Sequence, residues 1–264
     1  MKSSALLVVK IGGKSAEDDA LVMALTGELK KLQAQGCRIL MVHGGGITIS
    51  EIQKKYGITP RFIDGLRQTE PAEMPLVDMA LAGAVNKRLV RILKQGGLNS
   101  WGLCGADAGI LLAESISDSA AENRTGRVTS VDIRPLKLLW SGGYVPVLAP
   151  PATNSLGLGM NINADEAALA LSTALKADQL VFISDVPGVL ETQKVIRHLT
   201  PETAEEKISS AVITGGMIPK VKSAVEALKR GVGGVFIGEY TETGNLGKIL
   251  SGLQGTLIDS GGNK

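Results

Sequence analysis

Residues 6–14 read LLVVKIGGK, and the interpretation of this stretch decides the fold. The five apolar residues at 5–9 suit a strand buried on both faces, the kind found in parallel sheets covered by helices on either side. The strand runs into Lys10 and then into a glycine turn at Gly12 and Gly13. In open parallel sheets, ligands collect beyond the carboxyl ends of the strands, where turn amides and helix starts face the crevice. Gly12 and Gly13 would let a phosphate approach the main chain while Lys10 neutralises it. A lone K-x-G-G is ordinarily a solvated lysine at a strand end, so the remaining chain has to decide.

Working outward, residues 17–35 predict a helix with Leu21, Leu25, Leu29 and Leu32 on its apolar side and Gly36 as its stop. Residues 38–42 form the next strand, which ends in His43, Gly44, Gly45 and Gly46 before a helical pattern over 49–56. Three glycines between a strand and a helix make an anion cradle, because bare amides add to the partial positive charge of the helix start. The same run serves equally as a plain tight turn. Residues 57–69 predict a hairpin or lid carrying Arg61 and Arg67. Arg67 can clamp a carboxylate with two parallel hydrogen bonds, although a surface arginine is the simpler reading of that residue alone.

Residues 72–95 read as one long helix whose stripe of Met74, Val77, Leu81, Val85, Leu89 and Leu93 is core or subunit contact. Strands are expected at 98–103, 110–114 and 144–148, a helix at 135–140, and a polar surface loop or hairpin over 115–129. The proline- and glycine-rich stretch 150–159 suggests a boundary between an amino-terminal lobe, 1–150, and a carboxy-terminal lobe, 151–264, on one continuous sheet.

In the second half, the run NINAD at 161–165 precedes a helix over 166–175. One of its Asn or Asp residues can cap that helix, and three exceed what a cap needs. A buried strand at 179–183 leads into the polar turn SDVPGV at 184–189, and Gly215, Gly216 and Met217 lead into a helix at 221–229 with Lys220 near its start. A strand at 234–237 closes the series. This alternation predicts an α/β three-layer sandwich over a central, mainly parallel sheet. Neither a Walker P-loop nor a G-x-G-x-x-G after the first strand occurs.

Composition narrows the function. In 264 residues, 44% are apolar and only 3% aromatic, while 33 glycines imply many tight turns around an aliphatic core. A net charge of +2 argues against nucleic acid or an anionic membrane as the main partner. Two isolated cysteines read as reduced thiols of a cytoplasmic protein, and two histidines without C-x-x-C give no zinc site. The apolar run before Lys10 is too short for a leader or a membrane span.

Together, VVKIGGK (8–14), VHGGG (42–46), DGLRQT (64–69), ALAGAVNK (80–87), NINADEAA (161–168), SDVPGV (184–189) and GGMIPK (215–220) resemble the amino acid kinase family over essentially the whole chain to Ile258. They are most similar to those members that phosphorylate N-acetyl-L-glutamate in arginine biosynthesis. The resemblance implies that Lys10 and Lys220 stabilise the phosphoryl group in transit while Asp165 holds both lysines in position. It implies that Gly45 and Gly46 bind substrate through their amides and that Arg67 and Asn161 hold its α-carboxylate. It places ATP over Asp185, Val186, Pro187, Gly188, Val189 and Leu190, with Val212, Ile213 and Thr214, and the Gly12–Gly13 turn read above joins them as a phosphate contact. Magnesium then arrives on the nucleotide phosphates, with no protein ligand named.

A carboxylate acceptor is already ionised at neutral pH, so positioning and charge neutralisation supply the catalysis. Gln68 stands where the family commonly has an aliphatic residue, and Pro219 precedes the second lysine. Other readings are a same-fold kinase for aminoadipate or glutamate carried on a small protein, and a non-catalytic sensor. A homodimer insensitive to arginine is expected, because four residues ahead of the strand cannot form an extra helix.

Overall fold

The structure, a computed structural model, describes residues 5–117 and 122–261. Met1–Ser4, on which the expectation of arginine insensitivity rests, lie outside the described residues, as do 118–121 within the 115–129 segment. The chain forms two compact units, one made of the chain up to Ile39 with the chain from Ser172, the other of Leu40–Leu171. This division differs from the expected lobes at 1–150 and 151–264. The cause is strand pairing, which draws the first strand to the carboxy-terminal segment.

In the first unit, Leu6–Ile11 runs parallel to Gln179–Ile183, with Lys10 opposite Phe182 and Ile11 opposite Ile183. The Leu6 N–H also donates to Asp178 at 2.7 Å. Leu7, Val8 and Val9 are fully buried, and each such side chain contributes about 1.5–3 kcal/mol of transfer free energy. Val235–Gly238 extends the parallel set on the other side of Gln179–Ile183. The sheet does not close there, as the sequence suggested. Thr256–Ile258 adds antiparallel to Val235–Gly238, and His198–Leu199 lies beside it. Strands of two or three residues carry no periodicity to read.

The helix Asp19–Ala34 begins at Asp18, whose carboxylate accepts the N–H groups of Ala20 and Leu21 at 2.8 and 3.1 Å. Its face of Val22, Leu25 and Leu29 is buried. The helix Met217–Lys229 starts four residues earlier than expected and takes Lys220 into its first turn.

In the second unit, the strand Arg38–His43, which carries the chain from one unit to the other, pairs parallel with Val145–Ala149, and that strand pairs with Ser100–Cys104. Gly159–Ile162, Thr125–Val131, Leu111–Ser115 and Ala152–Thr153 close a small barrel. The 115–129 segment therefore supplies half of a hairpin, Thr125–Val131 lying antiparallel to Leu111–Ser115. Arg61–Ile63 and Leu66–Gln68 form the expected hairpin.

The long helix read over 72–95 is not uniform. A turn at Pro71–Glu73 leads to the α-helix Met74–Asp78, a π-helical segment Met79–Val85, and the α-helix Asn86–Gln95. An apolar stripe cannot reveal the wider turn, since Leu81, Val85 and Leu89 keep their spacing through it. All six stripe residues are buried inside the unit, so the stripe is core and not a free subunit face.

Candidate active site

In the second unit a polar cluster gathers around Arg67. The strand Arg38–His43 opens into the glycine loop, and the helix Gly46–Lys55 begins at once with Gly45 as its amino-terminal cap. Gly45 is needed for space: a β-carbon there would stand 2.7 Å from Leu81 Cδ2 and 3.0 Å from Val85 Cγ2. From the hairpin strand Leu66–Gln68, the Arg67 Nη2 donates to the Gly46 carbonyl at 3.0 Å and to Ser50 Oγ at 2.8 Å. Its Nη1 donates to Gln53 Oε1 at 2.6 Å, and the guanidinium carbon lies 4.8 Å from the Phe62 ring centroid.

Gln53 is fully buried and donates its own amide to Glu73 at 3.3 Å. Burial lowers the Arg67 pKa and Glu73 opposes that shift. Arg67 remains a cation, as arginine does throughout the physiological range.

Asn161 enters the same cluster from the barrel. Its side-chain amide donates to Thr69 Oγ1 at 2.8 Å, and its N–H donates to the Arg124 carbonyl at 2.7 Å. The buried Thr125 hydroxyl accepts the Thr69 N–H at 3.0 Å and donates to the Arg67 carbonyl at 2.8 Å. Gly46, Arg67 and Asn161 are thereby joined in one network, with Gly45 next to Gly46 in the chain. Gln68 projects elsewhere and accepts from Asn123 at 3.0 Å, which gives its departure from the aliphatic pattern a polar partner.

The first unit holds a second cluster, around Phe182. Phe182 lies opposite Lys10 in register, and Lys220 Nζ stands 5.7 Å from the Phe182 ring centroid, so one buried ring neighbours both lysines. The Lys10 ammonium lies over Gly12, where a β-carbon would sit 2.5 Å from Nζ. Gly13 adopts φ +57, and a β-carbon there would overlap the Asp185 carboxylate. Farther along the turn, the Val189 N–H donates to Thr256 Oγ1 at 2.9 Å, and Gly188, at φ +150, packs against the same hydroxyl.

The N–H groups of Val212 and Ile213 both donate to the Lys207 carbonyl at 3.0 Å, and Lys207 Nζ pairs with Glu191 at 2.8 Å beside Leu190. Thr214 accepts the Met217 N–H at 3.3 Å where the helix carrying Lys220 begins. Asp165 occupies the first turn of Ala164–Leu175 and belongs to the second unit, while both lysines belong to the first. Asn163 caps that helix, accepting from the N–H groups of Asp165 and Glu166 at 2.8 and 3.4 Å.

Sequence reasoning missed Gln53, Glu73, Thr125 and Thr256, which hold the named residues from behind. A signal existed for one of them: Gln53 falls in the apolar period of its helix, four residues after Ile49, where a buried polar group must have a partner.

A strand carrying Lys10 into a glycine turn, Arg67 against the glycine loop at Gly46, and Lys220 in the first turn of a helix are each groups suited to phosphates or carboxylates. Residues 5–239 match the model of the amino acid kinase family, and the chain belongs to that family. It is 42% identical to the acetylglutamate kinase of Geobacillus kaustophilus over 231 residues, 88% of each chain. It is 41% identical to that of Chloroflexus aurantiacus, over 87% of this chain and 90% of the relative. Among solved structures, smu.665 from Streptococcus mutans UA159 superimposes with a TM-score of 0.82 at 32% identity, covering 98% of this chain and all of that one. The Giardia carbamate kinase, at 15% identity, shares the fold with a TM-score of 0.68 over 97% and 99% of the two chains.

Proposed function

We propose that this chain transfers the γ-phosphoryl group of ATP to the side-chain carboxylate of N-acetyl-L-glutamate, making N-acetyl-L-glutamyl 5-phosphate for arginine biosynthesis. The observation that carries the reading is the Arg67 cluster, in which a half-buried guanidinium touches the glycine loop at Gly46 and shares a network with Asn161. Such a cluster suits the α-carboxylate of an N-acylated amino acid, and the acetylglutamate kinases to which the chain is about 40% identical support that acceptor.

Arg67 and Asn161 orient the acceptor, and the amides of Gly45 and Gly46 bind it. Lys10 and Lys220 then offset the repulsion between carboxylate and triphosphate and stabilise the oxygens of the phosphoryl group, with Asp165 fixing the lysines. Gly12, Gly13 and the loops at 185–190 and 212–214 hold the nucleotide. Magnesium is assigned to the nucleotide phosphates, whose charge it would shield.

In this reading the unit Leu40–Leu171 takes the acceptor, and the unit made of the chain up to Ile39 and from Ser172 takes the nucleotide. We place the enzyme in the cytoplasm on its two free thiols, Cys37 and Cys104, each raised in pKa by burial. A homodimer is retained as part of the proposal, with exposed Trp101 and Leu138, not the buried 74–93 stripe, as its apolar surface.

Hydroxylamine trapping tests the reaction. With ATP and magnesium, N-acetyl-L-glutamate is expected to give hydroxamate well above glutamate or aminoadipate. No hydroxamate from N-acetylglutamate, alongside good phosphorylation of another acceptor, would overturn the assignment.

A further inference from the structure

His43 and Asn86 stand in two of the motifs, VHGGG and ALAGAVNK, and have no part in the chemistry above. Both are fully buried in the second unit. Their hydrogen bonds determine which ring nitrogen carries the proton. The Asn86 Nδ2 donates to two carbonyls, Val147 at 2.9 Å and Leu103 at 3.3 Å, while its Oδ1 accepts from Lys87 Nζ at 3.0 Å. Carbonyls only accept and an ammonium only donates, so the amide has one orientation. Its NH2 group therefore also faces His43 Nε2, at 3.0 Å, and Nε2 must be the lone-pair nitrogen. The proton is left on Nδ1, which lies 2.8 Å from the Gly44 carbonyl, an acceptor.

The Gly44 carbonyl belongs to the same peptide plane as the Gly45 N–H. No described peptide bond is cis, and in a trans peptide the carbonyl and the N–H point in opposite directions. Fixing the Gly44 oxygen toward the imidazole therefore fixes the Gly45 N–H away from it. Glycine has little torsional preference of its own to hold that plane. We propose that His43, locked in its Nδ1–H tautomer by Asn86, is a positioning residue that aims the Gly45 amide at the acceptor. Burial supports the neutral ring by lowering its pKa to about 4, and the nearby cations Arg88 and Lys87 act in the same direction. The inference rests on the reading of Gly45 as an acceptor-binding amide.

The test begins with nitrogen NMR of 15N-histidine-labelled enzyme, a simple spectrum because the chain has two histidines and a His43→Asn sample assigns them. At pH 7, His43 is expected to carry its proton on Nδ1 with Nε2 unprotonated. An Nε2–H tautomer, or a protonated ring, would overturn the proposal. Kinetics form the second arm. His43→Leu removes the donor and should raise the acceptor KM about tenfold with the ATP KM unmoved, as expected for disturbing a single hydrogen-bonded orientation. His43→Asn keeps an amide donor within reach of the Gly44 carbonyl and should recover most of that loss.

An unchanged acceptor KM in His43→Leu, or equal damage in both variants, would sink the idea. Should His43→Leu fail to fold, the tautomer and the His43→Asn KM decide. The tautomer measurement needs no substrate, so a wild-type enzyme inactive on N-acetylglutamate would refute the acceptor reading separately.

Discussion

Gln53→Leu removes the residue on which Arg67, the proposed acceptor clamp, leans. The buried Gln53 amide stands between two charged groups, accepting from Arg67 Nη1 at 2.6 Å and donating to Glu73 at 3.3 Å. Leucine fills nearly the same volume, so no sizeable cavity opens and the loss is one of pairing. A hydrogen bond to a charged group is worth about 1.5–3 kcal/mol, and leaving one Arg67 N–H without its acceptor in a half-buried site forfeits most of that. The better transfer of leucine returns part of it, for a net destabilisation of about 2 kcal/mol. In a chain of this size that corresponds to a Tm lower by roughly 4–8 °C.

Arg67 keeps the Gly46 carbonyl and Ser50, so the clamp loosens without detaching. The acceptor KM should rise roughly three- to tenfold while kcat stays within about twofold, the pattern of lost ground-state binding. Thermal unfolding and steady-state kinetics with both substrates measure the two effects. A variant with unaltered Tm and unaltered acceptor KM would refute the argument that Gln53 holds the arginine.

Other outcomes follow from the same geometry. His43 is neutral when folded, with a pKa near 4 against 6.5 for the ordinary ring, so protons favour the unfolded chain. This contribution is complete above pH 6.5, falls by about 2 kcal/mol by pH 5, and is exhausted below pH 4; urea midpoints should show a smaller decline between pH 7 and pH 5 in His43→Asn. Gly13→Ala, at φ +57 and against Asp185, should raise the ATP KM at least severalfold and leave the acceptor KM alone, measurable by varying each substrate in turn. Lys10→Ala and Lys220→Ala should each lower kcat by about a hundred- to a thousandfold, the usual effect of deleting one preorganised charge, and single-turnover rates would expose a binding effect instead. Thr256→Val frees the Val189 N–H and should raise the ATP KM a few-fold with no change in acceptor affinity.

Much of the fold was legible because buried parallel strands announce themselves. The runs LLVV and LVFI are apolar throughout and as short as strands covered on both faces. The residues proposed to hold anions were singled out from the sequence as cations and glycines at strand ends. What escaped detection depended on partners distant in sequence. Thr125 owes its role to Arg67 and Thr69, more than fifty residues away, and its own neighbourhood reads only as polar. The Met79–Val85 segment escaped because one wider turn leaves the apolar spacing intact. The expected boundary near 150 followed local composition, whereas the actual division follows a pairing between residues about 170 apart.

That pairing has a consequence for how the chain is made. Leu6–Ile11 leaves the ribosome about 170 residues ahead of its partner Gln179–Ile183, an interval on the order of ten to thirty seconds at ordinary synthesis rates. Leu40–Leu171 is contiguous and can condense in that interval. The leading strand, with its unpaired edge of LLVV, must meanwhile stay out of aggregates. Lys10, at the end of that strand, is a charge that discourages stacking with a second nascent chain. The residue proposed to steady a phosphoryl group would thus already have served, earlier in the life of the molecule, as the guard on its first exposed edge.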